Sequence, residues 1–414
     1  MFSGSLAART SLVAGALGTV LLLGPPVGAG TITVEPDGSG DQPTIAAALA
    51  AAEDGDVIAL GNGTFVADGN RELWIYDLSV TLRSQSGDAS ACIIDPNGMA
   101  ASTRRALQFQ GTPEGFRVEQ ITFRGGAADA AGTGGYGGAI WLEAGAAPVF
   151  EGCIFRENLA RRGGAVYAAE ECTPEFIDCR FVDNEAQNYG GAVYCAADGA
   201  HALFISCLFA GNAAGDHGGA VACWNNCTPT LEACTLVGNS APVGSGLHMR
   251  FGASPALTRT IIAYGLSGAA IGCESGCHPT FECCNLYRNA GGDWVGSASG
   301  LEGTAGNISL RPRFCDVTLG DYQLCPGSPC LAGTDPNPEC LGIGAYGIGC
   351  SDCLFVCCVD GACHFVTPEA CADLSGDLIT DPAYPDCVTN PCPVPAESMS
   401  WGQLKTRFRE ATGN

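Results

Sequence analysis

Residues 148–193 read PVFEGCIFRENLARRGGAVYAAEECTPEFIDCRFVDNEAQNYGGAV, and the second half restates the first. Counting from Pro148, an apolar residue (Phe150) stands two places on, Cys153 five, Phe155 seven and Asn158 ten, before Gly163-Gly164-Ala165-Val166. The frame returns from Pro174, Ala202, Pro229, Pro255 and Pro279, at intervals of 24 to 28 residues. Gly-Gly-Ala-Val recurs at 190–193 and 218–221, with an earlier Gly-Gly-Ala-Ile at 137–140 and a degraded Gly244-Ser245-Gly246-Leu247. A period in the twenties, built from short β-type runs divided by Gly and Asn, predicts one solenoid coil per repeat. Leucine-rich and helical repeats need a Leu-x-x-Leu-x-Leu frame or a 3.6-residue apolar period, and both are absent.

Each coil is expected to hold three short strands, with successive coils stacked at the inter-strand spacing of about 4.8 Å. Inward positions then form files along the rod. Phe150, Phe176, Phe204, Leu231, Leu257 and Phe281 make one; Cys153, Cys179, Cys207, Cys234, Thr260 and Cys284 a second; Phe155, Phe181, Phe209, Leu236, Ile262 and Leu286 a third. Asn158, Asn184, Asn212, Asn239 and Asn289 form a ladder at a tight corner. There Asn is expected to take the left-handed conformation, with its amides bonding up and down the stack.

The alternation of Gly-Gly-Ala-Ile/Val with Phe-x-x-Asn resembles the repeats of chlamydial polymorphic outer-membrane proteins and other bacterial secreted right-handed parallel β-helix proteins. The opening TITVEPDGSGDQPTIAAALAAAEDGDVIALGNGTFV is similar to the N-terminal part of pectin-lyase-like folds, pectin methylesterases included, and SPCLAGTDPNPECLGIGAYG to their closing coil. The resemblance spans about residues 31–348 and implies an all-β, right-handed parallel β-helix. It implies no activity, because this fold hosts many.

Composition supports a chain organised in four parts. Residues 1–29 have the layout of a secretory signal peptide: Arg9, an apolar run from Leu12 to Leu23, a Gly24-Pro25-Pro26 break and small residues at the cleavage positions. Residues 30–348 are the β-helix, opened by a short capping helix over 43–53 (PTIAAALAAAE) with Ile45, Leu49 and Ala52 facing inward. Residues 349–393 are so rich in Cys that a small disulfide module is expected, since so short a segment buries too little to hold itself together. Residues 394–414 form a tail whose Ser400 and Gln403 make a capping box and whose Trp401, Leu404 and Phe408 share one helical face. The chain carries 25 Cys, and export makes disulfides the default expectation. Cys315, Cys325, Cys330 and Cys340 are expected to staple the last coils.

Lys and Arg total 19 against 43 Asp and Glu, a net charge of −24, which argues against nucleic acid and anionic membranes as partners. No segment after the signal is apolar for long enough to span a bilayer. The expected location is therefore extracellular or on the cell surface. No cofactor is indicated. Asp37 with Asp41 and Asp373 with Asp377 are the nearest approach to a calcium loop and lack its ligand density.

If Ile140, Val166, Val193, Val221 and Leu247 point inward, then Trp141, Tyr167, Tyr194, Ala222 and His248 point outward. Tyr136, Arg162, Tyr189 and His217, each just before Gly-Gly, form a neighbouring file. Stacked aromatic faces with Arg and His beside them suit sugar rings, so Trp141, Tyr167, Tyr194, Tyr136, Arg162, Tyr189 and His217 are the candidate carbohydrate-binding residues. The partner expected is an extracellular polysaccharide or cell-surface glycan, bound by a non-catalytic structural or interaction module. The competing class is a polysaccharide lyase or glycoside hydrolase. Its motifs are absent, and the outward acids Glu151, Asp178, Glu232 and Glu282 fall on different coils, so no catalytic residue is assigned. Asp216-His217 is expected to be a solvated corner.

Overall fold

The structure, a computed structural model, describes residues 29–351 except 98–103, 112–114, 129–134, 144, 197–198, 275 and 318, and then the strands Phe355–Val359, Ala362–Val366 and Asp377–Ile379. The expected signal peptide (apart from its last residue), most of the Cys-rich module and the C-terminal tail helix lie outside the described residues.

Strands of three or four residues stack in parallel into sheets of ten, nine and eight strands, with neighbours in a sheet always one coil apart in sequence. The opening sheet runs from Thr31–Val34 to Thr280–Glu282, the middle sheet from Gly63–Phe65 to Asn285–Tyr287, and the Gly-Gly sheet from Leu73–Tyr76 to Ile271–Cys273. The chain is thus a parallel β-solenoid. A fourth, four-stranded sheet, Ala127–Ala128, Leu159–Arg162, Glu185–Tyr189 and Ala213–Ala214, was not foreseen. It lies between the Asn corner and the Gly-Gly pair, where the sequence has no β-branched run to announce a strand.

The files stack as the repeat requires. Phe150, Phe176 and Phe204 are parallel neighbours with centroids 5.1 Å apart, and Phe155, Phe181 and Phe209 follow at 4.8 and 4.7 Å. All six are fully buried. Burial of each ring contributes roughly 1.5–3 kcal/mol, and the offset contacts add about 0.5–1.5 kcal/mol per pair. Register is set by alternation: in Glu175-Phe176-Ile177 only Phe176 is buried.

The asparagine ladder forms, with one correction. Asn158 Nδ2 donates to Asn184 Oδ1, Asn184 to Asn212 and Asn212 to Asn239, at 2.9, 2.9 and 3.0 Å. Each Nδ2 also donates to a main-chain carbonyl, of Phe123, Phe155 and Phe181 respectively. The left-handed residue is not Asn but the one before it: Glu157, Asp183, Gly211, Gly238 and Arg288 all have positive φ, as does Tyr264 before Gly265. Asn must keep extended backbone for its amide to point inward along the axis. The ladder stops where Gly265 replaces Asn, and Asn289 instead donates to Asp293 Oδ1 at 2.7 Å.

The cysteines divide into two populations, which corrects the disulfide default. Eleven described cysteines are buried thiols, among them Cys153, Cys179, Cys207, Cys234 and Cys284. Each of these five donates its S–H to a main-chain carbonyl on the opening strand of the previous coil, of Val118, Phe150, Phe176, Phe204 and Leu257 at 3.2–3.5 Å. Thr260 does the same to Leu231 with its hydroxyl, which is why Thr and Cys interchange here. Burial pushes the thiols of Cys153 and Cys207 well above their ordinary pKa and that of Cys284 to about 12. The disulfides among the described residues include Cys273–Cys277, Cys283–Cys340 and Cys315–Cys350, so Cys315 and Cys340 do staple the closing segment. Cys330 does not: it is a buried thiol whose sulfur accepts from Asn285 Nδ2.

At the N-terminus, Thr44 caps the helix Ile45–Ala51 through its hydroxyl, and Ile45 and Ala48 are its buried residues, with Leu49 and Ala52 only partly covered. The inward face is therefore turned by about one residue from the expected one. Beyond the solenoid, Phe355–Val359 pairs antiparallel with Ala362–Val366 and with Asp377–Ile379.

Replacing Asn212 by Ala orphans the Asn184 main-chain N–H and removes one of the two bonds that Asn184 Nδ2 donates, since both groups use Asn212 Oδ1. The expected loss is roughly 2–4 kcal/mol, read as a lowered urea midpoint. In alkylation followed by mass spectrometry, Cys153, Cys179, Cys207, Cys234 and Cys284 are expected to stay unlabelled in the native protein. They should label fully in denaturant without reductant, whereas Cys283 and Cys340 should label only after reduction.

Candidate functional site

The outer face of the Gly-Gly sheet carries three files of side chains. Parallel register puts Trp74, Gln108, Trp141, Tyr167, Tyr194, Ala222, His248 and Gly272 in one line. A second line is Tyr136, Arg162, Tyr189, His217 and Val243. A third, one residue past the strands, is Glu143, Ala169, Ala196, Trp224, Arg250 and Glu274, each bonded through its main-chain N–H to the coil before. The first glycine of each pair is left-handed, as at Gly190 (φ 66°), and the second lies against the next coil: a Cβ on Gly191 would sit 2.1 Å from the Gly219 carbonyl oxygen. Only glycine lets the chain turn there and bring the two files together.

The predicted stripe residues do come together. Tyr136 and Tyr167 are 4.7 Å apart, Tyr167 and Tyr194 5.8 Å, and Tyr189 stacks on His217 at 5.5 Å. The Arg162 guanidinium lies 5.6, 5.1 and 5.8 Å from the rings of Tyr136, Tyr189 and Tyr194, within cation–π range. Its Nε is buried with no hydrogen-bond partner. Burial moves the Tyr167 phenol up to about 12.

Three expectations about the stripe need correction. Tyr194 points outward from the sheet but is only 3% exposed, covered by Arg162, Tyr189 and Trp224. The open part of the face lies nearer the N-terminus, where Trp74 (39% exposed) and Tyr76 (54%) stack and Trp74 meets Trp141 edge-on at 5.9 Å. Arg105 lies 5.0 Å over the Trp141 ring while its Nε donates to the Tyr136 and Gly137 carbonyls. Beside Trp74 and Tyr76 a groove of about 350 Å³ is lined by Leu49, Arg71 and Glu72 among others.

The third correction concerns His217, which is not a solvated corner. Its ring stacks on His248 at 4.4 Å, and its Nδ1 is buried and unpartnered. His217 Nε2 and His248 Nε2 lie 3.6 and 3.7 Å from the same Glu274 oxygen, Oε1, while Arg250 Nε is 2.8 Å from Oε2. His248 is fully buried, and burial, together with His217 and Arg250, lowers its pKa to about 3, so it is neutral at physiological pH. Gly272, next in its line, leaves space for the ring, since a Cβ there would be 2.9 Å from His248 Cδ2.

Trp74, Trp224, Arg250 and Glu274 were not singled out from sequence. The third file was legible in principle, as the residue after each strand following Gly-Gly, but two alanines, Ala169 and Ala196, interrupt it and disguise it. Of the outward acids of the opening sheet, Glu119 and Glu151 stand in register on neighbouring coils and share Arg117. Glu151 and Glu232 pair with Arg117 and Arg259 and are three coils apart, about 14 Å, beyond the separation of a glycosidase carboxylate pair.

A family model described as a right handed beta helix region matches residues 138–309. No curated protein matches the chain. Among solved structures, a pectin methylesterase from carrot is similar at 16% identity, with 70% of this chain and 90% of that chain covered and a TM-score of 0.31.

Proposed function

We propose that this protein is an exported, non-catalytic right-handed β-helix that serves as a cell-surface or extracellular interaction module and holds glycan on the outer face of its Gly-Gly sheet. The observation that carries the reading is the aromatic face itself: Trp74, Tyr76, Trp141, Tyr136 and Tyr167 run along the rod, with the Arg162 guanidinium among the rings and buried Arg105 backing Trp141. Ring faces take the axial C–H groups of pyranoses, and a nearby guanidinium donates to hydroxyls. Coil spacing of about 4.8 Å is close to the length of one sugar unit, so a linear chain lying along the axis meets a ring at nearly every residue. The helix Ile45–Ala51 acts as the lid over the first coil in this reading, keeping the rod from growing end to end. The disulfides of the closing segment are compatible with an oxidising compartment.

The competing reading, a polysaccharide-degrading enzyme, is tested in the same experiment. A glycan array run beside an activity screen on acidic polysaccharides, with and without Ca²⁺, is expected to show retention without turnover. Trp141→Ala combined with Tyr167→Ala should abolish that retention while the circular-dichroism melt stays that of a folded β protein. Undiminished retention by the double variant overturns the glycan face, and turnover by the parent protein replaces the module with the enzyme.

A further inference from the structure

His217, His248 and Glu274 come from three successive coils and three different surface files, and stacking alone brings them to one point. Their nearest ligand atoms all lie within 4.8 Å of one another. The Nε2–Oε1 distances, 3.6 and 3.7 Å, are too long for hydrogen bonds. They match the separation of two ligand atoms around one small cation: bonds of about 2.1 Å in tetrahedral arrangement place neighbouring ligands about 3.4 Å apart.

The second observation is independent of those distances. His248 is fully buried, and neither Nδ1 nor Nε2 has a hydrogen-bond partner. A buried imidazole with no partner costs free energy that folding rarely tolerates without a ligand. The Glu274 carboxylate is held by charge: Arg250 Nε lies 2.8 Å from Oε2, without hydrogen-bond geometry, and Oε1 faces the two histidines. Tyr189 against His217 and Trp224 5.5 Å from His248 wall the point with aromatic carbon.

We propose that His217 Nε2, His248 Nε2 and Glu274 Oε1 form a binding site for a single divalent transition-metal ion of the zinc class. Two imidazoles and one carboxylate suit a borderline ion rather than Ca²⁺, which takes six or more oxygens. Three protein ligands leave a fourth position for water or a ligand oxygen. The site is separate from the buried thiols, and it stands whether or not the aromatic face holds glycan.

The test uses the full chain freed of metal with a chelator and titrated with Zn²⁺ against a chromophoric competitor, then with Co²⁺. The expected result is one equivalent bound, with cobalt absorption in the visible and without the intense near-ultraviolet band of a thiolate ligand. Glu274→Gln is expected to weaken Zn²⁺ at least about 10-fold, and His217→Gln likewise, each with a metal-free melt equal to that of the metal-free parent. His217→Gln, at a half-buried position, keeps the test open if Glu274→Gln fails to fold. Absence of binding by the parent, unchanged affinity in a folded variant, or a thiolate-type cobalt spectrum overturns the proposal.

Discussion

Axial register holds this molecule together. Each coil lies on the next with side chains in line, so every position in the repeat is a contact with its own equivalents above and below. The constraint is tightest at the asparagine file, where one buried amide from each coil bonds both the next amide and the main chain of the coil before. A slip of one residue would send the Phe files to the solvent and leave these amides unpaired in a dry interior. Hydrophobic burial supplies most of the stabilisation, but the polar file dictates which alignment receives it.

The same register organises the outside. A surface residue acquires as neighbours whatever stands one and two repeats away, so three unremarkable positions become a constellation. His217 precedes a glycine pair, His248 replaces the usual outward residue, and Glu274 follows a strand, yet both histidines converge on one Glu274 carboxylate oxygen. The rings of Tyr136, Tyr167, Tyr189 and Tyr194 pack on one another along the rod and, with Arg162, close over part of their own face. The face therefore does two jobs along its length: it is open about Trp74 and Tyr76 and packed shut about Tyr194 and Trp224.

Cysteine chemistry shows how location overrides residue type. Cys283 and Cys284 are adjacent in the chain. Cys283 occupies the left-handed corner, points away from the interior and is joined to Cys340; Cys284 belongs to the inward file and donates to the Leu257 carbonyl. Stacked thiols on parallel strands satisfy one another's coils through S–H to carbonyl bonds, so an oxidising surrounding has no access to them. Among the described residues, oxidation falls at the outer edge of the late coils, as in Cys273–Cys277, and in the closing segment, where Pro and Gly leave little regular backbone to hold it.

The repeat of Phe, Cys, Phe and Asn sufficed to establish a stacked solenoid, its inward files, its amide ladder and the two outward files beside Gly-Gly, because in a one-dimensional stack sequence period equals spatial neighbourhood. It was silent on whatever breaks the period or depends on cover. The fourth sheet has no patterned residues, the corner residue before Asn varies from Glu to Gly to Arg, and Tyr194 is buried by side chains rather than by its own position. The grouping of His217, His248 and Glu274 required the third dimension for a simple reason: each sits in a different file, and only the offset between files across the sheet face decides which residues of neighbouring coils touch.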